Sequence, residues 1–466
     1  MNEQEALRVI DRLLEQQRQP RLKDLQRRVL LRVLKRNSYQ FIAKELDYET
    51  DYIKHIAAGL WKLLSQLVGE KVTKGNIESI LLDYWIFSPV VDWGEAIDVS
   101  QFYGREKDLQ TLEDWISDRC RLVGIFGLGG VGKTALSVKL AQQLQTKFDC
   151  VIWRSLQYAP NPKDLLNEIL PILIGDRVQE NSCTLLMQQL REKRCLIILD
   201  NIESILHPGE FNGEYLTGYE AYGQFFDRIA DESHQSCLIL TGREKPKGIT
   251  IRAGVNLPVR SIQLTGLLPI DAQNILADKG VTASIDQQQA LIDHLSGNPL
   301  ALKISATVIQ NLFAGNIQVF LAQEMLIFGK LWELFDRQFD RLSTLQQNVM
   351  YCLAMNPQGI TPTQLHSELF PSVALAKLLL TLEILEDRSL IEVTDRELIQ
   401  QPIIRKYLID RLINTTTNLN SYDLTSIQSI IHRDLLSLAE GDRGKINENV
   451  LPRSISLSTQ ICPPCC

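Results

Sequence analysis

The sequence predicts an α/β domain built on a parallel sheet. Helical and winged-helix domains follow it, and an all-α, helix-turn-helix-like module precedes it. Three observations carry this prediction. An apolar strand, 121–126, runs into the glycine-rich stretch 127–134 and then into a helix-spaced segment ending at Leu144. Beyond it, near-continuous apolar strands alternate with helical patterns, as strands covered on both faces do. Finally, residues 1–80 carry apolar positions at helical spacing only, whereas residues 331–412 read as helices plus one short hairpin around 389–399.

The bounds agree. A chain of 466 residues predicts three or four domains. Its hydrophobic fraction of 45% and charged fraction of 23% are ordinary for a globular protein. The net charge of −7 argues against the whole chain binding a polyanion, though one module could. The acidic, polar start Met1-Asn-Glu-Gln-Glu-Ala is no secretory signal. No apolar run approaches membrane-spanning length, so a cytoplasmic protein without membrane contact is expected. Of nine cysteines, Cys120, Cys150, Cys183, Cys195, Cys237 and Cys352 are scattered, several in apparent strands as small hydrophobes. The terminal Cys462-Pro-Pro-Cys465-Cys466 lacks a second pair or a nearby histidine, which argues against zinc. No repeat of 20–50 residues is present.

In order, residues 1–80 predict four helices. Leu7, Ile10 and Leu14 mark the first, and Leu22, Leu25, Val29 and Val33 the second. Ser38 caps a short third, and Thr50 caps a longer fourth carrying Ile53, Ile56, Leu60 and Leu64. A turn at Asp47-Tyr48-Glu49 joins the last two, as in a helix-turn-helix. Through Asn76, fifteen Lys and Arg against ten Asp and Glu leave +5, which mildly favours nucleic acid. Glu49 and Asp51, however, stand where a recognition helix would meet phosphates. A solvated face on a protein-interaction module is therefore preferred to DNA binding. Residues 81–101 predict a linker, whose Tyr84, Trp85, Phe87 and Trp93 suggest packing on a neighbour.

Residues 102–265 predict the sheet domain. Gly127-Leu-Gly-Gly-Val-Gly-Lys-Thr134 fits the phosphate-loop pattern, and with its strand and helix it predicts a P-loop NTPase fold. Glycines let backbone N–H groups turn toward phosphate oxygens. Lys133 would reach the outer phosphates and Thr134 would ligate Mg²⁺. The expected nucleotide-binding set is Gly127, Gly129, Gly130, Val131, Gly132, Lys133, Thr134 and Ala135. The strand Cys195–Asp200 ends in a carboxylate suited to the Mg²⁺ shell, which makes Thr134 and Asp200 the metal candidates. Another strand, 237–243, ends at Arg243, placed to meet a terminal phosphate. Residues 266–330 predict a helical subdomain, 331–415 the winged helix, and 416–466 one more helix and an irregular tail.

The ordered motifs are Tyr103-Gly-Arg-Glu106, Gly127–Thr134, Leu199-Asp-Asn201, Leu240-Thr-Gly-Arg243, Leu264-Thr-Gly-Leu267 and Gly297-Asn-Pro-Leu-Ala301. Together, over about residues 100–412, they resemble the NB-ARC class of the STAND signal-transduction ATPases. The layout is most similar to cyanobacterial NB-ARC proteins that usually continue into WD-type repeats, which this sequence lacks. The resemblance implies an ADP/ATP switch: ADP holds a closed monomer, and exchange for ATP permits oligomerisation and signalling. It implies that Arg105 lies by the adenine, that Arg243 senses the γ-phosphate and that Pro299 touches the base. It makes 266–330 the ARC subdomain and Asp200, Asn201 and Glu203 the catalytic candidates. Many relatives carry a second acidic residue where Asn201 stands, and an amide cannot accept a proton from water. At most a slow ATPase is expected. The Met-His-Asp motif of plant relatives is absent, and Gln401 is expected to make the corresponding phosphate contact. Two other readings compete: a nucleotide-gated DNA-binding transcriptional regulator using residues 21–68, and a metabolic kinase or motor ATPase. The last lacks a visible acceptor-site base.

Overall fold

The computed structural model describes residues 3–17, 19–86, 89–174, 182–209, 213–323, 329–394 and 396–416. The helix expected at 421–439, the tail and its cysteines lie outside the described residues.

The N-terminal module comprises α1 (Glu3–Gln16), α2 (Asp24–Leu34), α3 (Tyr39–Leu46), α4 (Thr50–Val68) and α5 (Ile77–Ile86). Their apolar stripes meet in one core that includes Ile10, Leu14, Leu30, Ile42, Ile53 and Leu64. Ser38 caps α3 as expected, its hydroxyl accepting from the Phe41 N–H at 3.2 Å. Asp47 ends α3 in the left-handed region, which turns the chain into α4. Two expectations need correction. Thr50 does not cap α4: it lies inside the first turn, and Glu49 holds the cap position without a side-chain bond. The expected linker is also partly structured, because α5 continues through Ile86 and Val90–Asp92 form strand β1. Three residues are too few to show a strand period in sequence.

The sheet domain continues with α6 (Glu106–Ser117), β2 (Leu122–Gly127), α7 (Lys133–Leu144), β3 (Cys150–Ser155), α8 (Pro162–Ile174) and α9 (Cys183–Glu192). Then come β4 (Cys195–Asp200), α10 (Glu220–Asp231), β5 (Cys237–Gly242), the short α11 (Ile249–Arg252) and β6 (Val259–Leu264). The six strands run parallel in the order β1-β3-β4-β5-β2-β6. β2, β4 and β5 are buried along their whole length, which explains their unbroken apolar sequences. One face packs on Leu165, Met187 and Phe226, the other on Leu112, Leu136 and Leu140. Trp93, from the expected linker, packs on that second face. Cys120, Cys150, Cys195, Cys237 and Cys352 are buried free thiols, and burial pushes Cys120 up to about 11 and Cys352 to about 12. They behave as small hydrophobes.

The helical half contains α12 (Pro269–Asp278), α13 (Ile285–His294), α14 (Pro299–Phe313), α15 (Ile317–Leu321), α16 (Gly329–Phe339), α17 (Thr344–Met355), α18 (Pro362–Gln364) and α19 (Leu375–Asp387). The hairpin of β7 (Glu392–Thr394) and β8 (Glu397–Ile399) and then α20 (Pro402–Thr416) complete it. One apolar core runs through all of it, from Leu267 through Phe335 and Leu353 to Leu408. The two units expected at 266–330 and 331–415 therefore share a core. Leu128, in the glycine-rich loop, belongs to that same core. Among the described residues, no helix is long and apolar enough to cross a membrane.

Candidate nucleotide site

Strand order brings the site together. β4, β5 and β2 are neighbours, so their carboxyl ends place Asp200, Thr241 and Gly127 on one edge of the sheet. Ligands of open parallel sheets bind at that edge.

β2 passes into the loop at Gly127, and α7 starts at Lys133. Gly130 has φ 80°, and a Cβ there would stand 2.9 Å from the Asn298 Oδ1. Only glycine fits such a conformation at such a distance without strain. The two apolar loop residues anchor in different places. Val131 enters the core under α6 and α7, and Leu128 enters the helical half. The loop is thus a joint between the two halves of the molecule.

The Lys133 ammonium turns back on its own loop and donates to the carbonyls of Gly127 at 2.8 Å and Leu128 at 3.0 Å. Part of its residue surface stays exposed, but the ammonium is enclosed, and its burial lowers the pKa to about 8. A cation held under such a penalty favours an anionic partner.

Thr134 donates its hydroxyl to the Asp200 carboxylate at 2.9 and 3.0 Å. Thr241 donates to the same carboxylate from β5. Burial raises the Asp200 pKa, and the Thr241 and Thr134 bonds oppose that rise. Asn201, at φ 64°, donates its amide to the Asp200 Oδ2 at 3.0 Å and to the Ser155 hydroxyl at 3.4 Å. Asn201 therefore steadies Asp200 instead of standing apart to act on water.

Glu203 is occupied as well. Its Oε1 lies 3.2 Å from the Arg243 Nε, and its Oε2 accepts from the Arg243 backbone N–H at 3.2 Å. Neither catalytic candidate beyond Asp200 presents an unengaged base. Arg243 itself borders the loop, with its Cζ 3.3 Å from where a Cβ on Gly129 would be.

Arg105 works from behind the loop. Its guanidinium donates to the Val131 carbonyl at 3.0 Å and the Thr265 carbonyl at 2.7 Å, and pairs with Asp108 at 3.2 Å. Burial lowers its pKa. These bonds set it as a clamp on the loop backbone.

The segment 297–300 lies directly on the loop. Asn298 caps α14 by accepting from the Ala301 N–H at 3.1 Å, and donates its amide to the Gly129 carbonyl at 2.9 Å. The Leu300 N–H donates to the Gly130 carbonyl at 3.3 Å. The Pro299 Cγ stands 4.0 Å from a Cβ placed on Gly132. Asn298 and Thr241 were missed as site residues. Both lie inside quoted motifs, and only three-dimensional contact separates them from their neighbours. Gln401 does not join the site: its amide donates to the Glu392 carboxylate at 2.8 Å, on the hairpin. The start of α20 does reach the covering segment, since the Ile403 N–H donates to the Ser296 hydroxyl at 3.1 Å.

Comparison with known proteins agrees with this geometry. Residues 105–205 match the NB-ARC domain model, and residues 1–84 match the N-terminal HTH of vWA-MoxR associated proteins. An uncharacterised WD repeat-containing protein of Nostoc sp. (strain PCC 7120) is 45% identical over 344 residues, covering 70% of this chain and 27% of that protein. The disease resistance-like protein DSC1 of Arabidopsis thaliana is 24% identical over 274 residues, 54% of this chain and 20% of that one. The chain thus spans about a quarter of the first relative's length and a fifth of the second's. Among solved structures, a Walker-type ATPase of Pyrococcus abyssi covers 68% of this chain and 99% of its own, at TM-score 0.46 and 14% identity. With its phosphate loop, its strand-end aspartate and the family match over residues 105–205, the chain carries an NB-ARC domain and is consistent with an NB-ARC protein of the STAND signal-transduction ATPase group.

Proposed function

We propose that this chain is a nucleotide-operated switch that holds ADP in a closed arrangement. Exchange for ATP would let it assemble with copies of itself and signal. One observation carries the proposal: the phosphate loop is tied to the helical half through Leu128 in its core and through the Asn298 bond to Gly129. Whatever the loop holds is therefore felt by the helices. The helices and hairpin of 331–416 fit a winged helix, and the chain fits a cytoplasmic protein.

Within the site, Lys133 would bind the β-phosphate, and the loop N–H groups would orient it. The hydroxyl of Thr134 and the carboxylate of Asp200, at 2.9 Å, form a hard-oxygen pair of the kind that suits Mg²⁺. These two would hold it, and the ion would supply positive charge against the phosphates. Pro299 would pack near the base. Arg105 would keep the loop backbone in shape. With Asn201 on Asp200 and Glu203 on Arg243, hydrolysis would be slow at most.

The N-terminal module fits a protein partner better than DNA. On and just after α2, Arg27, Arg28, Arg32 and Arg36 pair within the module with Asp11, Asp24, Glu45 and Glu78. At the start of α4, Lys54 pairs with Asp51. These cations are engaged within the module and would have to give up carboxylate partners to meet phosphates.

Mass spectrometry of the gently denatured, purified chain tests the switch. ADP near one per chain is expected, and Lys133→Ala should lose it. A wild-type chain that carries no nucleotide and takes up neither Mg-ADP nor Mg-ATP would sink the proposal.

A further inference from the structure

The last polar residues of β5 and the turn after it face two ways. Arg243 borders the phosphate loop. Its neighbour Glu244, 3% exposed, faces the helical half. There it receives the Arg341 Nε at 2.8 Å and lies 3.5 Å from the Arg388 Nη2. Arg388 is fully buried, and also donates to the carbonyls of Arg341 at 3.0 Å and Gly209 at 3.1 Å. Arg341, just beyond α16, donates in turn to the carbonyls of Glu203 at 3.0 Å and Leu206 at 3.1 Å.

Glu203 therefore belongs to both sides. Its carboxylate holds Arg243, and its backbone carbonyl seats Arg341. The path from phosphate loop to helical half is continuous: Arg243, Glu203, Arg341, Glu244, Arg388. It contains three cations and two carboxylates, so Arg243 is the member whose pairing an added anion would contest. An arginine forms bidentate bonds to phosphate as readily as to carboxylate.

We propose that Glu203 is a positioning residue that parks Arg243, and that the terminal phosphate of a nucleoside triphosphate draws Arg243 away. Loss of that pair loosens the seat of Arg341 and with it the Arg341–Glu244–Arg388 contact that holds α16–α19 against the sheet domain. Nucleoside diphosphate has no terminal phosphate at this place and leaves the contact closed. The inference rests on the switch reading above and adds how the signal leaves the site.

The test uses the full chain and two readouts. Affinities for Mg-ADP and for a non-hydrolysable Mg-ATP analogue are measured by calorimetry. The radius of gyration with each nucleotide is measured by small-angle X-ray scattering. Arg341 makes no bond to the phosphate loop, yet Arg341→Met should shift the triphosphate-to-diphosphate affinity ratio toward triphosphate by at least about fivefold. It should also expand the chain without triphosphate. Glu203→Gln should shift the ratio the same way, and the double variant should fall short of the product of the single shifts. Arg341→Lys, which keeps the charge but loses the fork, should shift it less than Arg341→Met. It also serves if the Met variant does not fold. Folded variants that bind ADP with an unchanged ratio and an unchanged radius overturn the relay and leave the switch standing. A wild-type chain that binds neither nucleotide overturns the switch, and the relay falls with it.

Discussion

Two of the places where the helical half meets the sheet domain have opposite chemistry. At the phosphate loop the contact is made of neutral groups: Leu128 buried in the helical core, Asn298 on the Gly129 carbonyl and Leu300 on the Gly130 carbonyl. Beyond β5 it is ionic: Arg341 and Arg388 on Glu244, and Lys245 on Asp387 at 2.7 Å. Neutral backbone bonds and apolar burial hold geometry and respond little to a nearby charge. Ion pairs trade partners when a new anion arrives. A switch needs one joint of each kind, a fixed one to hold the loop and a labile one to let go.

The largest effect should come from the fixed joint. Leu128→Ala removes a side chain that is 1% exposed, and buried Leu→Ala changes cost about 2–5 kcal/mol. Val131 anchors the same loop in the other core, so the loop would lose one anchor and keep the other. Urea unfolding followed by circular dichroism should show the loss, with ADP binding weakened in parallel. A change under about 1 kcal/mol would mean that the loop is not pinned through Leu128.

Next comes Lys133, whose enclosed ammonium bonds to the carbonyls of Gly127 and Leu128 and, among the described residues, to no carboxylate. Its pKa of about 8 lies below an unfolded value near ~10.4, so the native state gives up this proton first. Between those values the unfolded chain binds more protons, and stability rises with pH. From this group alone the nucleotide-free protein should gain on the order of 3 kcal/mol from pH 8 to 10.4, all of it a relieved penalty. Lys133→Met should be more stable than wild type below pH 8, and the gap should close as pH rises. Denaturant midpoints of both proteins across that range measure it. A constant gap would show that the ammonium carries no such penalty in the nucleotide-free protein.

Asn298→Ala sharpens the same joint at smaller scale. It removes the α14 cap, at about 0.5–2 kcal/mol, and frees the Gly129 carbonyl. Asn298→Asp keeps the cap but cannot donate to that carbonyl. If ADP release speeds up in both variants, the loop bond matters to the site; if only in Ala, the cap does.

Much of this was legible in the sequence. The unbroken apolar runs of β2, β4 and β5 read as buried parallel strands because both faces are covered. The phosphate-loop residues were legible because their spacing is fixed by backbone geometry. The rest depended on contacts far apart in the chain. Nothing local to Asn201 shows that its amide would be taken by Asp200, or that Glu203 would be taken by Arg243, 40 residues on. Gln401 was placed by its neighbours in sequence, while Glu392 across the hairpin claims its amide. β1 escaped because three residues show no period, and it is a strand only beside β3.

The smallest effect tests the labile joint at its rim. Lys245 and Asp387 have side chains 22% and 8% exposed, whereas Arg388 and Glu244 are 2% and 4%. Water reaches the first pair, through Lys245, more than the second. Solvent-reached ion pairs contribute about 0.2–1 kcal/mol, and salt screens them. A double-mutant cycle of Lys245→Ala and Asp387→Ala should give a coupling in that range at about 0.05 M salt, falling toward zero at about 1 M. The cycle isolates this pair from whatever else either side chain touches. The inner pair of Glu244 and Arg388 should hold its coupling across the same range, since buried charges are screened far less. A rim coupling above about 2 kcal/mol, or one indifferent to salt, would mean that rim and centre act as one buried unit. In that case the joint could not be loosened from its edge, and opening would have to begin at Arg243.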